Sequence, residues 1–233
     1  MGERVFFITG ASRGIGAATA RLAAEAGYRL VLTARDVAAL AEYAPRLGGP
    51  EDVWVAPLDV RDWEQVAALV ERVEDEWGRV DVVFANAGVS VDTSFATDAG
   101  SSPAEWGDMV LTNVCGPAFT AKAAMPALIR SGGHLVLTGS AAGRGVRPGN
   151  LYSATKWAVT GLAEGIRAEC VGTGARVTIV QPGLTDTGGI PESREQDPKL
   201  DPEDVARAVL YAVSQPAGVD VNEIVVRPVG QVR

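Results

Sequence analysis

Tyr152 and Lys156 stand four residues apart at the start of a stretch with helical periodicity, Tyr152–Val171. That spacing puts the phenol and the ammonium on one helix face. A phenol titrates near ~10, and a neighbouring ammonium favours its ionised form, which suits it to give and take a proton near working pH. Ser140 follows the run Leu135-Val136-Leu137-Thr138-Gly139, at the carboxyl end of a predicted strand, where open parallel sheets hold ligands. Its hydroxyl can donate to an oxygen that is gaining negative charge. Taken alone, a Tyr-xxx-Lys spacing also fits an ordinary half-buried helix face. Together the three groups suit proton transfer at a carbonyl or alcohol oxygen.

A second constellation lies near the amino end, where Thr9-Gly10-Ala11-Ser12-Arg13-Gly14-Ile15-Gly16 joins an apolar run to an Ala-rich helical stretch. Glycines open backbone conformations closed to other residues and let a pyrophosphate approach the main chain. The helix that follows offers unpaired N–H groups and the positive end of its dipole to phosphates. A tight turn needs glycine for structural reasons as well; the place after the first strand and before a helix is what favours a nucleotide.

The elements that must position these residues alternate along the whole chain. Strands are predicted at Val5–Thr9, Arg29–Thr33, Val53–Pro57, Val80–Ala85, His134–Thr138, Arg176–Val180 and Glu223–Val226. Between them lie helices at Ile15–Ala26, Val37–Arg46, Trp63 to Trp77, Pro103 to Ile129 and Tyr152–Val171, with another starting near Pro202. The strands are continuous apolar runs, so both faces of the sheet should be covered. Strand–helix alternation implies a parallel seven-stranded sheet with right-handed crossovers, a doubly wound α/β fold of the Rossmann type. With no linker, repeat or low-complexity segment, residues 1–233 read as a single domain.

In register with that pattern stand seven motifs: the TGxxxGxG turn, Asp59-Val60, Asn86-Ala87-Gly88, Asn113, Ser140, Tyr152-Ser153-Ala154-Thr155-Lys156 and Pro182-Gly183. In this set and order the chain resembles the short-chain dehydrogenase/reductase family over essentially its whole length. The resemblance implies hydride transfer between a nicotinamide cofactor and a carbonyl or alcohol carbon. It makes Tyr152 the general acid/base and gives Lys156 the tasks of lowering the tyrosine pKa and binding the nicotinamide ribose. Ser140 becomes the second oxygen-binding group, and Asn113 holds a water linking the lysine to solvent. Carried over to the cofactor, it implies contacts from Gly10, Ser12, Arg13, Gly14, Ile15, Gly16, Asp59, Val60, Asn86, Ala87, Gly88, Tyr152, Lys156, Pro182, Gly183, Thr185 and Thr187. Ala85 departs from the family, which often has a second Asn there, and Asp186 should face solvent.

The end of the second strand separates the two nicotinamide cofactors. An acid there would bind the ribose hydroxyls and repel a 2′-phosphate, whereas arginine accommodates the phosphate. The family's NAD-preferring acid would fall at Ala34; Arg35 follows it, and Arg13 supplies a second guanidinium. Planar guanidinium groups suit phosphate recognition, so the expected cofactor is NADP(H). Asp36 could pair with Arg35, or cap the next helix; the cap is favoured.

Composition narrows the partners. A net charge of −8 speaks against nucleic acid and anionic membranes, which need clustered Lys and Arg. Cys115 and Cys170 make no disulfide framework or metal motif and read as small buried hydrophobes, His134 as a structural or surface residue, and no metal is expected. Trp54, Trp63, Trp77, Trp106 and Trp157 fall at packing positions, and Glu71–Glu76 reads as a solvated helix face. The amino end lacks a signal-peptide pattern, so a cytoplasmic protein is expected. The short polar stretch 188–200 favours a small polar substrate; Arg144 and Arg147 could pair with a substrate carboxylate, but surface charge is the favoured role. By resemblance, the two long helices form subunit contacts, giving a homodimer or homotetramer. The alternative is a catalytically idle NADP-binding regulatory protein of the same fold. An epimerase or dehydratase would usually bring a longer carboxyl-terminal region.

Overall fold

The computed structural model describes residues 4–145, 149–188, 190 and 194–231. Seven parallel strands form one sheet: β1 (Val5–Thr9), β2 (Arg29–Ala34), β3 (Val53–Pro57), β4 (Val82–Ala85), β5 (His134–Thr138), β6 (Arg176–Pro182) and β7 (Glu223–Val226). Their spatial order is β3-β2-β1-β4-β5-β6-β7. β1 is fully buried, as its unbroken apolar run requires. The order reverses between β1 and β4, and the crevice above such a switch point is where this architecture takes ligands.

Helices cover both faces. Ala20 and Ala23 of α1 (Gly14–Glu25), Leu40 of α2 (Ala38–Tyr43) and Val205, Val209 and Val213 of α7 (Pro202–Ser214) pack with Phe6, Ile8, Leu30 and Leu32. On the other face, α3 (Trp63–Trp77), α5 (Gly116–Ser131) and α6 (Leu151–Glu169) pack against Val5, Phe7, Val83, Leu135 and Leu137. Helix starts are set locally: Asp62 accepts the Gln65 N–H at 3.1 Å ahead of α3, and Ser102 with Glu105 forms a capping box on α4 (Pro103–Val110).

The structure corrects three sequence expectations. The helix predicted from Pro103 to Ile129 is two α-helices joined by a π-turn, Leu111–Cys115. Pro117 has no N–H to offer the carbonyl of Asn113, and the ladder widens there, with Gly116 N–H bonding the Leu111 carbonyl. The second helix is short and finishes as a 3₁₀ turn, Ala44–Arg46, around Pro45. β4 begins at Val82 rather than Val80, and just before it the Asp81 carboxylate accepts the Val5 N–H at 2.8 Å and bonds Arg79. Among the described residues, no helix is long and apolar enough to cross a membrane, and no group of three or more His, Cys, Asp or Glu side chains could hold a metal ion.

Candidate active site

The glycine turn leaves β1 at the switch point. Gly10 has φ +64°, and a Cβ there would come within 2.8 Å of the Ala87 Cα, so the chains leaving β1 and β4 touch only because Gly10 has no side chain. Asn86 fastens this junction. Its amide donates to the carbonyls of Thr9 and Gly10 at 3.1 and 3.0 Å, and its oxygen accepts from the Thr138 hydroxyl at 3.3 Å. The Thr9 hydroxyl receives the N–H groups of Asn86 and Ala87 at 3.0 and 3.1 Å. The ends of β1, β4 and β5 are thus held as one unit. α1 starts at Gly14 with no side chain capping its first N–H groups.

Above this unit lies a cavity of about 470 Å³. The turn contributes Gly10, Ser12, Arg13, Gly14 and Ile15 to its wall; the ends of β2, β3 and β4 contribute Arg35, then Asp59 and Val60, then Asn86, Ala87 and Gly88. Tyr152, Lys156 and Thr187 close the far side. Four other predicted cofactor contacts stand behind the wall. Gly16 packs under the Gly10 carbonyl, Gly183 is tied to Val226 by a 2.7 Å main-chain bond, and the Thr185 hydroxyl turns back to the Gly183 carbonyl at 3.1 Å. Pro182 ends β6 buried, its carbonyl 3.5 Å from the Ser140 hydroxyl. Ala34, the cofactor-reading position, lines it too; sequence reasoning missed Leu58, Val89, Ser90, Thr112, Thr138 and Gly188, which also line the cavity.

Lys156 is 4% exposed, and its ammonium donates to the Thr138 carbonyl at 2.9 Å, 5.6 Å from the centre of the Tyr152 ring. Burial pushes the lysine down to about 8. Burial also raises the Tyr152 phenol, and its hydrogen bond with Ser140 works in the lowering direction. For the phenol, burial is thus the first cause and the Ser140 hydrogen bond the second. The Ser140 hydroxyl accepts the Ala142 N–H at 3.1 Å, which fixes its oxygen at the carboxyl end of β5. Asn113, on the π-turn, is 1% exposed; its amide donates to the Val89 carbonyl at 2.8 Å and the Thr155 hydroxyl at 3.1 Å, and its oxygen accepts the Val89 N–H at 2.9 Å. A Cβ on Gly88 would meet both the Asn113 oxygen and the Lys156 ammonium, at 3.4 and 3.6 Å.

A second cavity, of about 430 Å³, adjoins the first; Ser90 and Tyr152 belong to the walls of both. Its other walls are Val91 to Ser94, Ala99, Gly100, Gly149 and Asn150. Thr93 pins this loop to the start of α6, donating to the Gly149 carbonyl and accepting the Leu151 N–H at 3.0 Å. Sequence reasoning looked for the substrate wall in 188–200 and passed over this segment. The available signal was an unusually long polar connection from Ala85 to Pro103.

The remaining assignments divide. Asp36 accepts the Ala38 N–H at 2.9 Å and so serves the start of α2, and Asp186 is exposed. Arg144 is paired with Glu223 at 2.6 Å and 45% exposed, in keeping with a surface charge; Arg147 lies outside the described residues. His134 is wholly buried against the Thr178 hydroxyl at 2.7 Å and is structural. Trp54, Trp63, Trp77 and Trp106 each pack edge-on against another aromatic ring, while Trp157 is 48% exposed.

Residues 4–198 match the model of a family described as short chain dehydrogenase. An uncharacterized oxidoreductase of Staphylococcus saprophyticus is 39% identical over 235 residues, covering 97% of this chain and 98% of that protein. Among solved structures, an alcohol dehydrogenase from the archaeon Thermococcus sibiricus, complexed with 5-hydroxy-NADP, has a TM-score of 0.88 at 33% identity, covering 99% of each chain. Serine dehydrogenase from Escherichia coli has a TM-score of 0.86 at 31% identity, covering 98% of this chain and all of its own.

Proposed function

The chain belongs to the short chain dehydrogenase family, and on that premise we propose that it is an NADP(H)-dependent oxidoreductase interconverting a small polar carbonyl compound and its alcohol. The observation that carries the proposal is the place of Tyr152, which lines both cavities beside the buried Lys156 ammonium. The larger cavity suits a phosphorylated dinucleotide. Arg13 and Arg35 line it without a carboxylate within 4.0 Å among the described residues, and the first turn of α1 has free N–H groups. Both the 5-hydroxy-NADP in the Thermococcus relative and the absence of an acid at Ala34 support this choice over NAD. The smaller, polar cavity is where we place the substrate.

When bound, the dinucleotide supplies a hydride to the substrate carbon or accepts one from it. The rest falls to the chain. Ser140 and Tyr152 hydroxyls bind the substrate oxygen and stabilise the charge that develops on it. In reduction the Tyr152 O–H proton passes to that oxygen; in oxidation the phenolate takes it back. The Lys156 ammonium offsets the negative charge on the phenolate, and Asn113 holds the Val89 backbone and Thr155 around it. We further propose self-association through α5 and α6, near which Leu111 and Trp157 stand 44% and 48% exposed.

The test is absorbance at the nicotinamide band, with NADPH or NADH against small aldehydes, ketones and 3-oxo acids, and the oxidised cofactors against matching alcohols. Turnover with NADPH that disappears in Tyr152→Phe is the expected result. Faster turnover with NADH would refute the cofactor assignment. Tight NADPH binding without any turnover would favour the idle regulatory protein instead.

A further inference from the structure

The large cavity carries one carboxylate among its described lining residues, Asp59. β2 and β3 are paired in register up to Ala34 and Pro57, so Asp59 comes off the sheet beside Arg35. A free carboxylate there has the wrong sign for a phosphate. It would repel the group directly and compete for the Arg35 guanidinium.

Arg61 answers both effects. Its Nε lies 3.0 Å from each Asp59 oxygen, a terminal nitrogen donates to Oδ2 at 2.6 Å, and its main-chain N–H donates to Oδ1 at 3.0 Å. The other terminal nitrogen is taken by Asp108 on α4 at 2.7 Å. Its fork is therefore spent on two carboxylates, and it is not among the lining residues of the cavity.

We infer, building on the NADP(H) assignment, that Arg61 is a specificity-determining positioning residue. By engaging Asp59 it leaves Arg35 to a 2′-phosphate and so sets the preference for the phosphorylated dinucleotide. The Arg61 hydrogen bonds hold the Asp59 carboxyl below the usual carboxylate range, and Arg35 adds in the same direction, which places all three charges in one electrostatic unit. The Asp59 and Arg61 side chains are 26% and 29% exposed, so water screens the pair and its leverage is moderate.

The test is calorimetric titration of the full chain with 2′,5′-ADP and with 5′-AMP, which share the adenosine and differ in the 2′-phosphate. Wild type should bind 2′,5′-ADP more tightly. Arg61→Gln should narrow the ratio of the two affinities by about two- to five-fold, the effect of one partly screened charge. Adding Asp59→Asn to that variant should restore most of the ratio, since the offending charge is gone. Arg61→Lys, which keeps the charge without the fork, should fall between, and serves if Arg61→Gln does not fold. An unchanged ratio in Arg61→Gln would overturn the inference. So would a narrowed ratio that Asp59→Asn does not restore, because Arg61 would then act through α4. A wild type without preference for 2′,5′-ADP would instead sink the NADP(H) assignment, and this inference with it.

Discussion

His134 opens β5 wholly buried, with Nε2 on the Thr178 hydroxyl at 2.7 Å and no partner for Nδ1 among the described residues. Burial, with the nearby Arg176 charge in second place, pushes it from 6.5 down to about 3. The unfolded chain therefore takes up a proton as pH falls through 6.5, while the folded protein resists until about 3. Stability is unaffected above the unfolded value and is lost progressively between the two. At pH 5 the unfolded state is favoured by about 2 kcal/mol through this one group, 1.5 pH units at ~1.36 kcal/mol each. His134→Gln keeps a donor for Thr178 and cannot ionise. Urea unfolding followed by tryptophan fluorescence, at one protein concentration, would be run at pH 7.5 and pH 5 for both proteins. Every other titrating group cancels in the comparison, so wild type should lose about 2 kcal/mol more than the variant. Equal losses would refute the reasoning, because they would mean that His134 protonates as readily folded as unfolded.

Two further perturbations concern the site. In Gly16→Ala the new methyl overlaps the Gly10 carbonyl oxygen and comes within 2.8 Å of the Asn86 amide. Such overpacking costs about 1–3 kcal/mol and should lower Tm by roughly 2–12 °C while weakening the stabilisation that added NADPH gives, both read in one thermal melt. Lys156→Met should be inactive yet more stable without nucleotide. Holding the lysine at about 8 instead of 10.5 costs the folded state about 3 kcal/mol at pH 7, and losing the bond to the Thr138 carbonyl returns about 1. The net gain of about 2 kcal/mol should shrink as pH rises from 8 towards 10.5, where the folded lysine is neutral and the unfolded one still charged; a gain independent of pH would count against burial as its cause.

The parallel sheet was legible because each strand is an unbroken apolar run, and the switch point because Gly10 and Asn86 end the two strands that diverge there. Tyr152 and Lys156 were legible because helical spacing puts them on one face whatever surrounds the helix. What stayed hidden depends on contacts between segments distant in sequence. The π-turn under Asn113 had a local signal in Pro117, but an apolar periodicity running through it masked the break. Thr138 reads as one more strand residue; its carbonyl matters only once α6 brings Lys156 beneath it. Arg61 and Asp108 are separated by α3, β4 and the long polar loop, and each looks like surface charge until the fold joins them beside Asp59.

β5 shows how the fold divides stability from chemistry along a single strand. At its amino end the buried base is a histidine, pushed so far down that it stays neutral with a hydroxyl partner, and the charge cost of burial is avoided. At its carboxyl end the buried base is a lysine, pushed only to about 8, so near neutral pH it keeps its charge at a cost to the folded state. The difference lies in what surrounds each group. At the bottom of the sheet the His134 ring has the Thr178 hydroxyl as its partner, and the nearby charge acting on it is that of Arg176. At the top, the Thr138 carbonyl and the Tyr152 phenol give Lys156 a hydrogen bond and a ring face but no full counter-charge. An ammonium held without a carboxylate has its strongest available partner in a phenolate, and in the proposed mechanism Tyr152 presents that partner when its proton has passed to the substrate oxygen. On the proposed mechanism the strain at the top of β5 is relieved at the proton-transfer step, which is why we expect Lys156→Met to gain stability and lose turnover together.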